Sequence, residues 1–198
     1  GQLSYYVWLT TKFSSPINVA IPSGNFGNAY SAWFGRQHGL SIKNILCSTN
    51  VNDVLRRFIE SGTLKPKETY PSIAPSMDIQ IPSSLERLIF DLSGSAEHFY
   101  NTFSTTGEAT LQDDALNTLK MIFSAETFND EDIKHTIGEL YKEFDYVFDP
   151  HTATSVAMAL NNGDNIPTVA VATASPEKFG TVINLSLIHI SEPTRLRT

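Results

Sequence analysis

Two short, mostly apolar runs, INVAI at 17–21 and KNILCS at 43–48, each give way to a segment with helical spacing. Runs of this length bounded by turn residues predict strands buried on both faces. After the first, AYSAWFGRQHG predicts a helix ending near Gly39, a residue suited to the left-handed position past a helix end. After the second, Val51, Val54, Leu55, Phe58 and Ile59 fall at i, i+3, i+4, i+7 and i+8. Asn50 or Asn52 is the expected cap of that helix and Gly62 its stop. Strand, helix, strand, helix with buried strands predicts an α/β fold around a parallel sheet covered on both faces.

Farther on, residues 63–83 form a Pro- and Ser-rich connector. Ser83 stands three residues ahead of Glu86, a capping-box spacing that opens a helix running through Phe90. A second helix is expected around Leu111, Ala115, Leu119 and Ile122. A third starts at Asn129 behind the acidic turn Asp130, Glu131 and Asp132, and should bury Ile133, Ile137, Leu140, Tyr141 and Phe144. Asp149 followed by Pro150 reads as an N-cap with proline at the first helical position, so HTATSVAMAL is helical and Gly163 ends it. IPTVAVATA at 166–174 returns to strand. No internal repeat is visible.

Composition narrows the function classes. The 198 residues are 41% hydrophobic and 18% charged, which is globular and excludes wholesale disorder. A formal charge of −7 argues against a nucleic-acid surface, because duplex binding is carried by Lys and Arg on phosphates. The single cysteine, Cys47, excludes an internal disulfide and a thiolate-based zinc site, and its apolar run marks it as a buried structural thiol. No stretch approaches the ~20 apolar residues needed to cross a bilayer. No signal-peptide pattern opens the chain. A soluble, cytoplasmic protein is expected, with no metal site and no membrane partner.

Two stretches carry candidate chemistry. In PSGNFGN a buried strand hands over to a helix through Gly24, Asn25, Phe26, Gly27 and Asn28. Backbone N–H groups at a helix start, with the positive end of the helix dipole, form an anion site that needs no basic side chain. Gly24 and Gly27 would supply unusual dihedrals and close backbone approach, and the two asparagines amide donors. A tight turn with an asparagine cap fits the same spacing. The loop is neither a P-loop nor a GxGxxG fingerprint. In VAVATASP, Thr173 ends an otherwise apolar strand where open α/β sheets bind ligands. A buried hydroxyl there needs a partner, either a ligand atom or its own turn.

The loop PSGNFGN, then CSTNVNDVLRRFIESGTLKPKETYPSIAPSMDI, SSLERLIF, FDPHTATSVAMAL and VATASPEKF resemble, in this order, segments of threonine synthases. The resemblance covers most of residues 1–184, weakens through 92–145 and is lost in the tail. It implies the C-terminal half of an enzyme of the pyridoxal-phosphate fold type II, a three-layer parallel-sheet α/β fold. Residues 92–145 are then a helical insertion, and 185–198 a non-native tail that resembles translated adapter sequence. The implied reaction converts O-phosphohomoserine and water to threonine and phosphate. By similarity Gly24, Asn25, Phe26, Gly27 and Asn28 would hold the phosphate of pyridoxal 5′-phosphate, with Thr173 at the pyridine nitrogen. His151 is expected near the crevice, in a packing role or facing the ligand.

One feature of the family is missing. Its Schiff-base lysine lies upstream of the loop in a Ser/Ala-Phe-Lys-Asp context that none of the eight lysines here shares. No catalytic lysine is therefore expected in this chain, and the chain alone is expected to be inactive. Two rivals remain open at this level: a phospho-lyase that releases a keto acid, and a non-catalytic phosphate-binding module.

Overall fold

A computed structural model describes residues 1–187; residues 188–198, which make up most of the expected tail, lie outside the described residues. In chain order come α1 (Leu3–Thr10), β1 (Ile17–Pro22), α2 (Gly27–Gln37), β2 (Ile42–Thr49) and α3 (Val54–Ser61). Next are β3 (Thr63–Leu64), a connector with a 3-10 turn at Pro75–Met77, α4 (Leu85–Ser93), α5 (Glu97–Thr106), β4 (Ala109–Thr110) and α6 (Asp113–Ile122). The last part holds β5 (Phe123–Thr127), α7 (Asp130–Phe144), α8 (Pro150–Asn161), β6 (Thr168–Ala170) and α9 (Gly180–Leu187).

Four strands form a parallel sheet in the order β5-β2-β1-β6, while β3 and β4 make a separate antiparallel pair. The period-2 alternation of a strand sorts β1 onto two cores. Ile17, Val19 and Ile21 face Trp33 of α2 and Phe58 of α3, and Ala20 joins Ile137 of α7 and Ala153 of α8 on the other face. The expected three-layer α/β arrangement with a parallel sheet is what forms.

Several local expectations hold for the reasons given. Asn129 and Asp132 make a reciprocal capping box at α7, and Asp149 caps α8 with Pro150 at its first position. Gly62 takes the left-handed conformation that ends α3. Others fail. Helix α3 begins at Val54, so neither asparagine caps it and Val51 is exposed. The asparagines are buried instead and tie down the connector: Asn50 Nδ2 donates to Ser72 Oγ at 2.7 Å and Asp78 Oδ1 at 2.6 Å, and Asn52 Nδ2 to the Tyr70 carbonyl at 2.8 Å. The Ser83/Glu86 box does not form, because the Ser83 hydroxyl is turned to Asn25 Oδ1 at 3.3 Å. Phe144, the last residue of α7, is exposed.

Helix α5 and strand β5 have no counterpart in the pattern. FSAET has little strand character of its own, and it extends because Ile45 to Thr49 of β2 offer it a parallel ladder. Context has overridden propensity there. The interval 92–145 therefore contributes a strand to the central sheet as well as helices. Strand β6 is shorter than 166–174, since it lies at the sheet edge with β1 as its one partner among the described residues.

This strand order places the site. From β1 the chain builds toward β2 and β5, and β6 then joins on the opposite side of β1. The direction of winding thus reverses between β1 and β6, and a crevice opens at the carboxyl ends of those two strands.

Candidate functional site

A pocket of about 230 Å³ occupies that crevice. Residues 22–29 line one side, with Ser76, Met77, His151, Thr173 and Gln2 completing it. Gly24, Asn25, Phe26, Gly27, Asn28 and Thr173 are thus brought together although Thr173 lies far along the chain. The pairing of Ala20 with Ala170, extended by the Val171 N–H to the Ala20 carbonyl at 2.9 Å, causes this.

The loop works differently from the expectation. Phe26 occupies the N-cap position of α2 with φ 69°, and no side chain caps the helix, so an asparagine cap does not form. The first intrahelical bond runs from Tyr30 N–H to the Phe26 carbonyl at 2.9 Å. The N–H groups of the first turn, at Gly27, Asn28 and Ala29, stay available to an anion in the pocket. The left-handed residue is thus Phe26, and neither Gly24 nor Gly27 has positive φ. A non-glycine in this region stores backbone strain, and here burial of the ring against Phe123, 5.6 Å away, holds it. Gly24 is needed for close approach instead. A Cβ on it would stand 2.8 Å from the Ser76 carbonyl oxygen and 3.1 Å from Met77 Cα.

The asparagines are oriented by their neighbours. Asn28 Oδ1 accepts from the Tyr6 hydroxyl at 2.7 Å and Asn25 Oδ1 from Ser83, so each amide has its nitrogen left to offer the pocket. Burial pushes the Tyr6 phenol up, with the Cys47 thiol adding to it, and Tyr6 stays a donor at ordinary pH. Cys47 is fully buried, and burial raises its thiol to about 12. It is a packing residue, as its sequence context indicates.

Thr173 lies beyond the end of β6 and is exposed, which corrects the expectation of a buried strand-end hydroxyl. Its N–H donates to Thr152 Oγ1 at 3.2 Å. Its hydroxyl has no partner among the described residues, so its own turn does not satisfy it. His151 is 3% exposed. Its Nδ1 lies 2.9 Å from Asp149 Oδ1, and its Nε2 lies 3.1 Å from the Ser76 backbone nitrogen. A backbone N–H can only donate, so Nε2 accepts and the ring is the neutral Nδ1–H tautomer donating to Asp149. Burial pushes the Asp149 carboxyl up, but hydrogen bonds from His151 and Thr152 outweigh it and hold the group below its usual range.

The sequence pattern alone missed Ser76, Met77, Asp149 and Thr152 as parts of this site. Ser76-Met77-Asp78 carries no local signal of a pocket wall, and Asp149 signalled only a helix start. No pocket-lining residue is Lys or Arg, and no cluster of three metal-ligating side chains occurs among the described residues.

No family model matches the chain. Threonine synthase from Pseudomonas aeruginosa is 33% identical over 189 residues, which are 90% of this chain and 40% of that protein. The crystal structure of PLP-bound threonine synthase from Brucella melitensis superposes with a TM-score of 0.90 at 29% identity, over 93% of this chain and 42% of that one. The chain is homologous to threonine synthase. The yeast threonine synthase structure agrees, with a TM-score of 0.89 at 27% identity, over 98% of this chain and 43% of that one. The fold is accordingly part of the pyridoxal-phosphate fold type II. The chain spans about two-fifths of the length of the threonine synthases it matches.

Proposed function

We propose that this chain is part of a threonine synthase, and that its pocket holds pyridoxal 5′-phosphate for the conversion of O-phosphohomoserine and water to threonine and phosphate. The observation that carries the reading is convergence. An uncapped helix start, two asparagine amides and an unpartnered threonine hydroxyl face one pocket without a basic side chain. Such a donor set suits an anion held by neutral groups, and the space that a Gly24 Cβ would fill is kept open by close backbone packing. When bound, the cofactor supplies an electron sink for elimination and replacement at the carbons beyond Cα. Gly27, Asn28 and Ala29 would hold the phosphate through backbone N–H groups, with Asn25 and Asn28 adding side-chain donors. Thr173 would meet the ring nitrogen with a hydroxyl rather than a carboxylate, and so leave the ring largely neutral. Residues 1–184 would then be the C-terminal part of the cofactor domain, with a helical insertion at 92–145 and a non-native tail at 185–198, in a cytoplasmic enzyme.

The test is titration of pyridoxal 5′-phosphate into the chain and into Asn28→Asp. This substitution keeps the acceptor for Tyr6 but replaces the amide donor with a negative charge. Affinity should fall about tenfold or more, since a charge-assisted hydrogen bond becomes a repulsion. Inorganic phosphate should compete. Equal affinities would remove the loop from the site. The reaction itself is read as threonine formed from O-phosphohomoserine by a protein that joins this chain to a lysine-bearing upstream part.

A further inference from the structure

One carboxylate is linked to two separate residues that line the pocket. Asp149, buried at the start of α8, accepts from His151 Nδ1 at 2.9 Å and from the Thr152 hydroxyl. Each of those side chains then accepts a backbone N–H on its far side. His151 Nε2 takes the Ser76 N–H at 3.1 Å, and Thr152 Oγ1 takes the Thr173 N–H at 3.2 Å. Ser76 is the residue whose carbonyl packs on Gly24, so the first arm ends at the loop wall. Thr173 carries the unpartnered hydroxyl and lines the same pocket, so the second arm ends at the pocket as well.

Polarity makes the two arms alike. The imidazole can accept at Nε2 only while its proton sits on Nδ1, the hydroxyl oxygen accepts while its proton points to Asp149, and the carboxylate takes both protons. We infer that His151 and Thr152 are positioning residues, set by Asp149, that fix Ser76 and Thr173 where they line the pocket and so hold its shape. This rests on the reading of the pocket as the pyridoxal phosphate site. It assigns a role to His151 without contact with the reacting atoms. An amide at 149 has one acceptor oxygen where the carboxylate uses two, so it could take the proton of only one arm.

The experiment combines backbone amide hydrogen exchange with titration of pyridoxal 5′-phosphate, on the chain and on single variants. His151→Leu should speed exchange at Ser76 alone, and Thr152→Val at Thr173 alone. Asp149→Asn should speed at least one of the two. His151→Gln, whose Oε1 can take the place of Nε2, and Thr152→Ser should restore protection. Affinity should follow protection, about five- to tenfold weaker where one hydrogen bond is lost and near the original in the restored variants. Thr152→Val and His151→Gln alter volume little, so each arm keeps a folded probe. Unchanged exchange at Ser76 and Thr173, or exchange that changes while affinity does not, would overturn the inference and leave the functional reading intact. An original chain that protects both amides but binds no pyridoxal phosphate would overturn the functional reading and the pocket role together.

Discussion

Gly24 and Gly27 sit three residues apart in one loop, yet they answer to different constraints. A methyl on Gly24 meets main chain, the Ser76 oxygen at 2.8 Å and Met77 Cα at 3.1 Å, and neither can swing aside. A methyl on Gly27 meets only the ends of Gln2 and Ser84 side chains at 3.4 Å. Gly24→Ala should therefore cost about 1–3 kcal/mol through overpacking, with Ser76 and Met77 displaced from the pocket. Gly27→Ala, at the first position of α2, should stay within about 0.5 kcal/mol of the original. Urea denaturation of the two variants checks this, and similar midpoints would mean that the loop can shift away from Ser76. The loop's position was legible in the sequence because a strand, a Pro/Ser/Gly/Asn turn and a helix start are local signals. The reason for Gly24 was not, since its partner lies about fifty residues on, in the 3-10 turn of the connector.

At the level of elements, helix α8 joins stability to the site. Its Asp149 cap is held as a carboxylate by His151 and Thr152 against the opposing effect of burial. A carboxyl with a depressed folded-state value contributes stability above its unfolded value, here taken as 3.8, and loses it as pH falls through the folded value. Stability should thus decline below about pH 4 in the original chain, with a shallower decline in Asp149→Asn, when both are unfolded by urea across a pH series. At neutral pH Asp149→Ala should cost about 2 kcal/mol, from a lost cap and two buried donors left unpaired. Parallel acid profiles would remove Asp149 from the acid response. The cap was visible in the sequence as Asp-Pro before a helical run. Its two outward arms were not, because the α8 start meets Ser76 and Thr173 only through packing against β1 and the connector.

Across the whole molecule the sheet is covered on both faces, and its outer strands β5 and β6 each pair on one side only among the described residues. Strand β6 has a partner on the β1 side only among the described residues, and Val169, Ala170 and Val171 border an apolar groove of about 280 Å³ against α1. Tyr5 and Trp8, each 63% exposed, stand on its rim. An open edge beside an apolar groove is a site for self-association. The chain should bind the dye ANS and scatter light at rising concentration, and Trp8→Lys should reduce both with little change in stability. No difference between the two proteins would show that the groove is not the adhesive surface. The same scale shows what the residues settled by themselves. Apolar runs and helical spacing determined β1, α2, β2, α3, α7 and α8, because each signal lies within one element, and motif order carried the threonine synthase resemblance. Only the tertiary structure decided that FSAET is a strand, that β6 lies beside β1, and that Asp149 reaches both Ser76 and Thr173. Those outcomes depend on which strand edge is free to pair and on contacts between distant segments, and a local hydrophobic pattern holds no record of either.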